Sequence, residues 1–336
     1  MNSSINSSAI STTETYVTEL DVVIFSLAMM LSFFICTVNI LTILVIWRTP
    51  QLRTFANVYV TSLALADFLI GLELAFTSFF FLPSTRVDIF YKHIRACLMM
   101  NGFNIGMTGV SIIHMAIVAV DRYIYITKPY FYERAITKRV VVFFILLAWI
   151  VGLTYSILPQ FYHNNYGEIP VCHVTEIFPI WHLFYGSWSL YFITSTVILI
   201  MYLLILRAAV KQRKAIHAFG PTGIPSNSQI NNGFSRHAMK TLKFFFTVFG
   251  AFFVCLTPCV VVLGVDFYVT VPAMLYRVLS VLAFTNSGMN FIIFTAQNRC
   301  FRHALLKMLR CPVKQRHNPF DIECTFTTNQ AHRSSR

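Results

Sequence analysis

Apolar and polar positions alternate along this chain in long blocks rather than at the two- or four-residue spacing of a soluble fold. Seven apolar runs of membrane length can be placed near Val22–Trp47, Ala56–Leu82, Ala96–Ile126, Val140–Phe161, Pro179–Arg207, Leu242–Val265 and Val271–Ala296. A helix of about 20 residues, rising about 1.5 Å per residue, crosses the hydrocarbon of a bilayer. The pattern therefore predicts an all-α membrane protein, a bundle of seven transmembrane helices. Polar residues 1–21 precede the bundle, which occupies 22–296.

After the last run, Gln297–Cys311 places Phe301, Ala304, Leu305 and Met308 on one face and basic residues on the others. This is an amphipathic eighth helix expected to lie along the inner membrane surface, in contact with lipid. Residues 312–336, with Thr325, Thr327, Thr328, Ser334 and Ser335, read as a disordered tail. The connection from Ala208 to His237, with Gly220, Pro221 and Gly223, reads as flexible coil.

Composition sharpens the class. Of 336 residues, 56% are hydrophobic, 33 are Phe and only 12% are charged, about half the charged share of a typical soluble domain. The net charge of +13 would suit nucleic acid, but its layout does not. Of the 26 Lys and Arg residues, 22 fall on one side of the seven-pass topology, leaving Arg86, Lys92, Arg95 and Arg277 on the other. The basic side is cytoplasmic, which puts the N-terminus outside and the C-terminus inside.

The first twenty residues lack a basic segment followed by an apolar one, so no cleaved signal peptide is expected. Asn2 and Asn6 each open an N-glycosylation sequon, usable on the outer side. Of eight cysteines, only Cys97 and Cys172 fall outside, where an oxidising compartment allows them to pair. Cys311, with Cys300 as the second choice, is a candidate for palmitoylation.

Ionisable groups within a membrane are costly, which makes each one a functional candidate. Asp67 lies deep in the second run. It is either a protonated carboxyl shared between helices or the anionic ligand of a small cation. In the second reading Ser111, Asn286, Ser287 and Asn290 supply neutral groups to a metal held at Asp67. Glu73 is either a ligand counter-ion or a carboxyl buried against neighbouring helices. His114 reads as a satisfied packing histidine and Trp149 as packing or lipid contact. Asp121, Arg122 and Tyr123 end the third run, where the acid and guanidinium can neutralise one another until a helix moves.

Taken together these residues resemble the rhodopsin-like (class A) G protein-coupled receptors over about Val22 to Cys311. The chain is distantly similar to the biogenic-amine and trace-amine types, without their amine-binding aspartate. Asn39, Asp67, Trp149 and Tyr202 match single positions in the first, second, fourth and fifth helices. Cys97 with Cys172 matches the extracellular disulfide, Asp121-Arg122-Tyr123 the arginine motif, and Ile112 with Phe252 the connector between pocket and transducer face. There are departures. Leu256 replaces the usual sixth-helix tryptophan, although Pro258 keeps the kink. Asn290-Phe291-Ile292-Ile293-Phe294 lacks the seventh-helix proline and tyrosine, Thr194 replaces a fifth-helix proline, and Ala238 stands where an acid often locks the arginine.

The resemblance implies a receptor, not an enzyme, that carries an extracellular small-molecule signal to a heterotrimeric G protein. Arrestin and a receptor kinase would be further partners, and nucleic acid would not. No cofactor is implied beyond an allosteric sodium ion at Asp67. Asn104 occupies the place of the amine-binding aspartate, and Phe284 that of the opsin lysine. The implied ligand wall is Asn104, Ile105, Thr108, Ser187, Cys259, Leu263, Tyr276 and Ser280, with Glu73. Activation would swing the sixth helix on Pro258 and free Arg122, with Tyr130 meeting the G protein. The rival readings are a constitutively active or decoy receptor, a transporter, for which no internal repeat is evident, and a membrane enzyme, for which no HExxH or GxSxG motif is present.

Overall fold

The computed structural model describes residues 19–79, 94–162, 174–218 and 247–309. Among these, seven helices are long and apolar enough to cross a membrane: Glu19–Arg48, Phe55–Ser78, Ile94–Thr127, Lys138–Phe161, Ile180–Ala208, Thr247–Val265 and Met274–Ala296. They are called the first to seventh spans below. The second helix ends at Ser78, short of the Leu82 expected from hydropathy. The seventh starts at Ala273 rather than Val271. Asn2, Asn6, Cys172, Ala238 and Cys311 lie outside the described residues.

Local chemistry fixes the helix ends. Thr54 caps the second span by accepting from the Asn57 amide at 3.3 Å, and Thr137 caps the fourth from Val140 at 3.5 Å. Between the third and fourth spans, Pro129–Ala135 forms a short helix with proline in its first turn, where the missing N–H is not needed. The fifth span contains a π-helical stretch, Leu183–Trp188. Such widened turns recur at functional sites.

Close packing of the third and fourth spans depends on three glycines. A Cβ on Gly106 would fall 1.8 Å from Ser156 Oγ and 2.4 Å from the Gly152 carbonyl oxygen, and one on Gly102 would fall 2.5 Å from the Ser156 carbonyl oxygen. A Cβ on Gly152 would meet Val110 at 2.2 Å. Small residues at a helix crossing let backbones approach in lipid. Trp149, on the same span, does more than pack: its indole N–H donates to Ser62 Oγ at 2.9 Å, tying the fourth span to the second.

The eighth helix is present over Arg299–Leu309, starting two residues after the expected 297. Asn298 Oδ1 caps it, accepting from the Phe301 amide at 3.0 Å. Its apolar face meets protein. Phe301 and Leu305 are buried against Val45, Ile46, Leu52 and Phe294, so the helix is docked on the inner ends of the first and seventh spans.

Candidate functional site

Polar side chains gather at three levels of the bundle. At the outer level, a cavity of about 640 Å³ opens between the spans. Glu73, Asn104, Ile105, Thr108, Ser187, Cys259, Leu263, Tyr276 and Ser280 all line it. The π-helical stretch contributes Tyr185, Gly186, Ser187 and Trp188 to the same wall. Ser187 also hydrogen-bonds Tyr155, its amide donating to the phenol oxygen at 3.2 Å. Mostly apolar walls with a few convergent polar groups are what a small-molecule site requires.

Two charged residues line this cavity among the described residues, Glu73 and Arg277. Glu73 is buried, and its Oε2 accepts from Asn104 Nδ2 at 2.7 Å. The carboxyl therefore packs against the third span and also lines the cavity. Arg277 NH1 lies 2.6 Å from Asp21 Oδ1, an ion pair that joins the first and seventh spans. The layout of basic residues assigns Arg277 to the outer side but cannot supply its partner, which is 256 positions away.

At the middle level, Asp67 is fully buried. Ser111 Oγ donates to its Oδ1 at 3.2 Å, Asn290 Nδ2 donates to its Oδ2 at 2.8 Å, and Ser287 completes the hydrogen bonding. Asn286 is buried and lines the larger cavity instead, which Ser111 and Ser287 share as its floor. Asn39 ties the first span in, donating to the Ser287 carbonyl at 3.1 Å. One carboxylate with two hydroxyls and an amide has the chemistry of a site for a small hard cation. Below it, a void of about 50 Å³ reaches Tyr202, Phe249 and Phe294, enough for water. His114 is fully buried but only half satisfied. Its Nδ1 lies 2.8 Å from the Val110 carbonyl, while Nε2 has no partner among the described residues.

The connector positions join the levels. Ile112, Phe252 and Leu256 pack in one apolar cluster with Tyr191 and Tyr202. The Tyr191 hydroxyl and Thr257 Oγ1 are 2.5 Å apart, across the fifth and sixth spans and one residue before Pro258.

At the inner level, Arg122 Nε and NH2 donate to Asp121 Oδ2 at 2.9 and 2.5 Å. The carboxylate is held a second time, because the Tyr132 hydroxyl donates to Oδ1 at 2.9 Å. Tyr125 sits beneath the guanidinium, 5.0 Å from its ring centroid, and stacks edge-on against Tyr132. Burial, then the Asp121 carboxylate, push the Tyr132 phenol far above its ordinary pKa, so it remains a donor at any physiological pH. Tyr132 was missing from the expected set. Its only sequence signal is a tyrosine three residues beyond Pro129. Tyr130, at the same end of the bundle, is 90% exposed.

Cys97 is disulfide-bonded, as is Cys300, while Cys36, Cys255 and Cys259 are free thiols.

Comparison with known proteins agrees with this architecture. The family described as 7 transmembrane receptor (rhodopsin family) matches residues 38–294. Similar curated proteins include the octopamine receptor beta-2R of Drosophila melanogaster, 26% identical over 85% of this chain and 61% of its own length. The trace amine-associated receptor 13c of Danio rerio is 28% identical over 80% of both chains. The human adenosine receptor A2a is 25% identical over 84% of this chain and 71% of its own.

Proposed function

Because this chain belongs to the rhodopsin family of seven-transmembrane receptors, we propose that a small molecule bound in the outer cavity is read at the inner face by a heterotrimeric G protein. The observation that carries this reading is the continuity of the three levels. The third span holds Asn104 in the cavity wall, Ser111 on Asp67, Ile112 in the connector and Asp121-Arg122 at the inner end. A ligand that favours one arrangement of the spans shifts the population of the other end by its differential affinity. Tyr191 with Thr257 ties the sixth span to the fifth beside the Pro258 kink, where the swing would begin. Arg122 would leave Asp121 and meet the G protein alongside Tyr130.

Sodium is the proposed ion at Asp67, with Ser111, Ser287 and Asn290 completing its surroundings and Asn286 nearby. It would favour the closed arrangement. Further proposals are an outside N-terminus carrying glycans at Asn2 and Asn6, a Cys97–Cys172 disulfide, palmitate on Cys311, and regulation by arrestin and a receptor kinase.

The test is a small-molecule screen on the receptor expressed at the cell surface, read by G protein dissociation. A compound that acts on the wild-type receptor but not on Arg122→Ala supports the reading. A receptor that reaches the surface and engages no heterotrimer, with or without compounds, overturns it.

A further inference from the structure

One ionisable side chain of the outer cavity has no opposite charge beside it among the described residues. Arg277 is neutralised by Asp21 at 2.6 Å, which leaves Glu73 as the one charged residue of the described lining without an opposite charge. Its Oε2 is occupied by the Asn104 amide at 2.7 Å. Its Oε1 accepts no hydrogen bond and joins no ion pair among the described residues. Nor is it among the sealed interior atoms, so it is presented to the cavity. The residue as a whole is only 9% exposed. A carboxylate this deep in a membrane protein calls for a positive partner. Asn104 cannot be that partner, because its amide is neutral; it can only aim the carboxylate.

We propose that the cavity takes a ligand bearing a single positive charge on nitrogen, a protonated amine, whose N–H donates to Glu73 Oε1. The charge is thereby anchored on the second span, and Asn104 on the third span positions the anchor. The uncharged body of the ligand lies along the apolar wall that includes Ile105 and Leu263. The proposal rests on the receptor reading only in taking this cavity as the ligand site.

Cys259 offers a test that needs neither a known ligand nor a G protein. It is a free thiol in the same cavity wall. The full-length receptor in lipid nanodiscs is treated with 2-aminoethyl, methyl or 2-sulfonatoethyl methanethiosulfonate, which carry positive, zero and negative charge. Modification of Cys259 is followed by mass spectrometry, with Cys259→Ser as the blank. The expected result is a cation-to-anion rate ratio, taken relative to the same ratio for a small free thiol in solution, of about tenfold or more, the order expected for one charge acting across a cavity of intermediate dielectric. Glu73→Gln should bring the ratio close to one while the neutral reagent reacts as before, which shows that the cavity is intact. Asn104→Lys, which places an ammonium on Glu73, should do the same and serves if Glu73→Gln does not fold. A relative ratio close to one in the wild-type receptor, or an unchanged ratio in a folded variant, overturns the proposal. Because the labelling bypasses the transducer, loss of charge preference would leave the coupling reading standing, and loss of coupling would leave this one.

Discussion

The Tyr132 hydroxyl donates to Asp121 at 2.9 Å while Arg122 holds the other carboxylate oxygen at 2.5 Å. A residue of the short helix beyond the third span thus clamps the same acid that restrains the guanidinium. Asp121 is buried and Arg122 only partly so, so the pair exchanges little of its attraction for hydration. A hydrogen bond to a charged group contributes about 1.5–3 kcal/mol. Arg122 leaves by breaking its own two contacts with Oδ2, and Tyr132 opposes that release by fixing the carboxylate where those contacts need it.

Tyr132→Phe removes one of the two clamps and keeps the ring packed on Tyr125. Basal nucleotide exchange on a G protein should rise, by about tenfold or more if the full hydrogen bond opposes release. Unchanged basal exchange would mean that Tyr132 packs but does not restrain.

Asp67→Asn removes the charge that a cation needs but can keep hydrogen bonds to Ser111 and Asn290. Receptor activity should lose its dependence on sodium concentration while surface expression holds. Undiminished sodium sensitivity in this variant would end the assignment of the ion to Asp67.

The Asp21–Arg277 pair should couple the first and seventh spans. Asp21→Asn and Arg277→Gln should each lower the unfolding temperature of the purified receptor. The double variant should lose less than the two together, with a coupling energy of about 1–3 kcal/mol for a pair this shielded. Additive losses would show that the contact carries no energy.

Glycine substitutions give opposite results in two places. Gly106→Ala forces a methyl into Ser156 and the Gly152 carbonyl, and overpacking of this kind costs about 1–3 kcal/mol or more. Gly250→Ala meets nothing within 4 Å and should add a few tenths to about 1 kcal/mol of helix stability. Thermal unfolding of both variants checks the pair.

Much of this bundle was legible in the sequence because bilayer thickness imposes a length on every apolar run, and the side-chain chemistry of Asp67, Asn290 and Arg122 is tied to particular depths along their helices. Those constraints act within one span. What escaped are relations between spans, which depend on how each helix is rotated and where it is offset from its neighbours. Arg277 was only one of four basic residues counted to the outer side until the first span supplied Asp21. Glu73 and Asn104 were separate candidates until packing made them a pair. The eighth helix read as membrane-bound from its amphipathic pattern, because nothing in that pattern separates lipid from the side chains of Val45 and Leu52 as the cover for Phe301. The π-helical turn at Leu183–Trp188 leaves no mark in hydropathy at all.

The claim that the inner acid–guanidinium contact governs coupling is tested most directly by binding of nucleotide-free G protein heterotrimer to the purified, ligand-free receptor in nanodiscs. Asp121→Asn, which frees the guanidinium, should raise the bound fraction above wild type, and Arg122→Ala should abolish it. Equal binding by wild type and both folded variants would contradict the account.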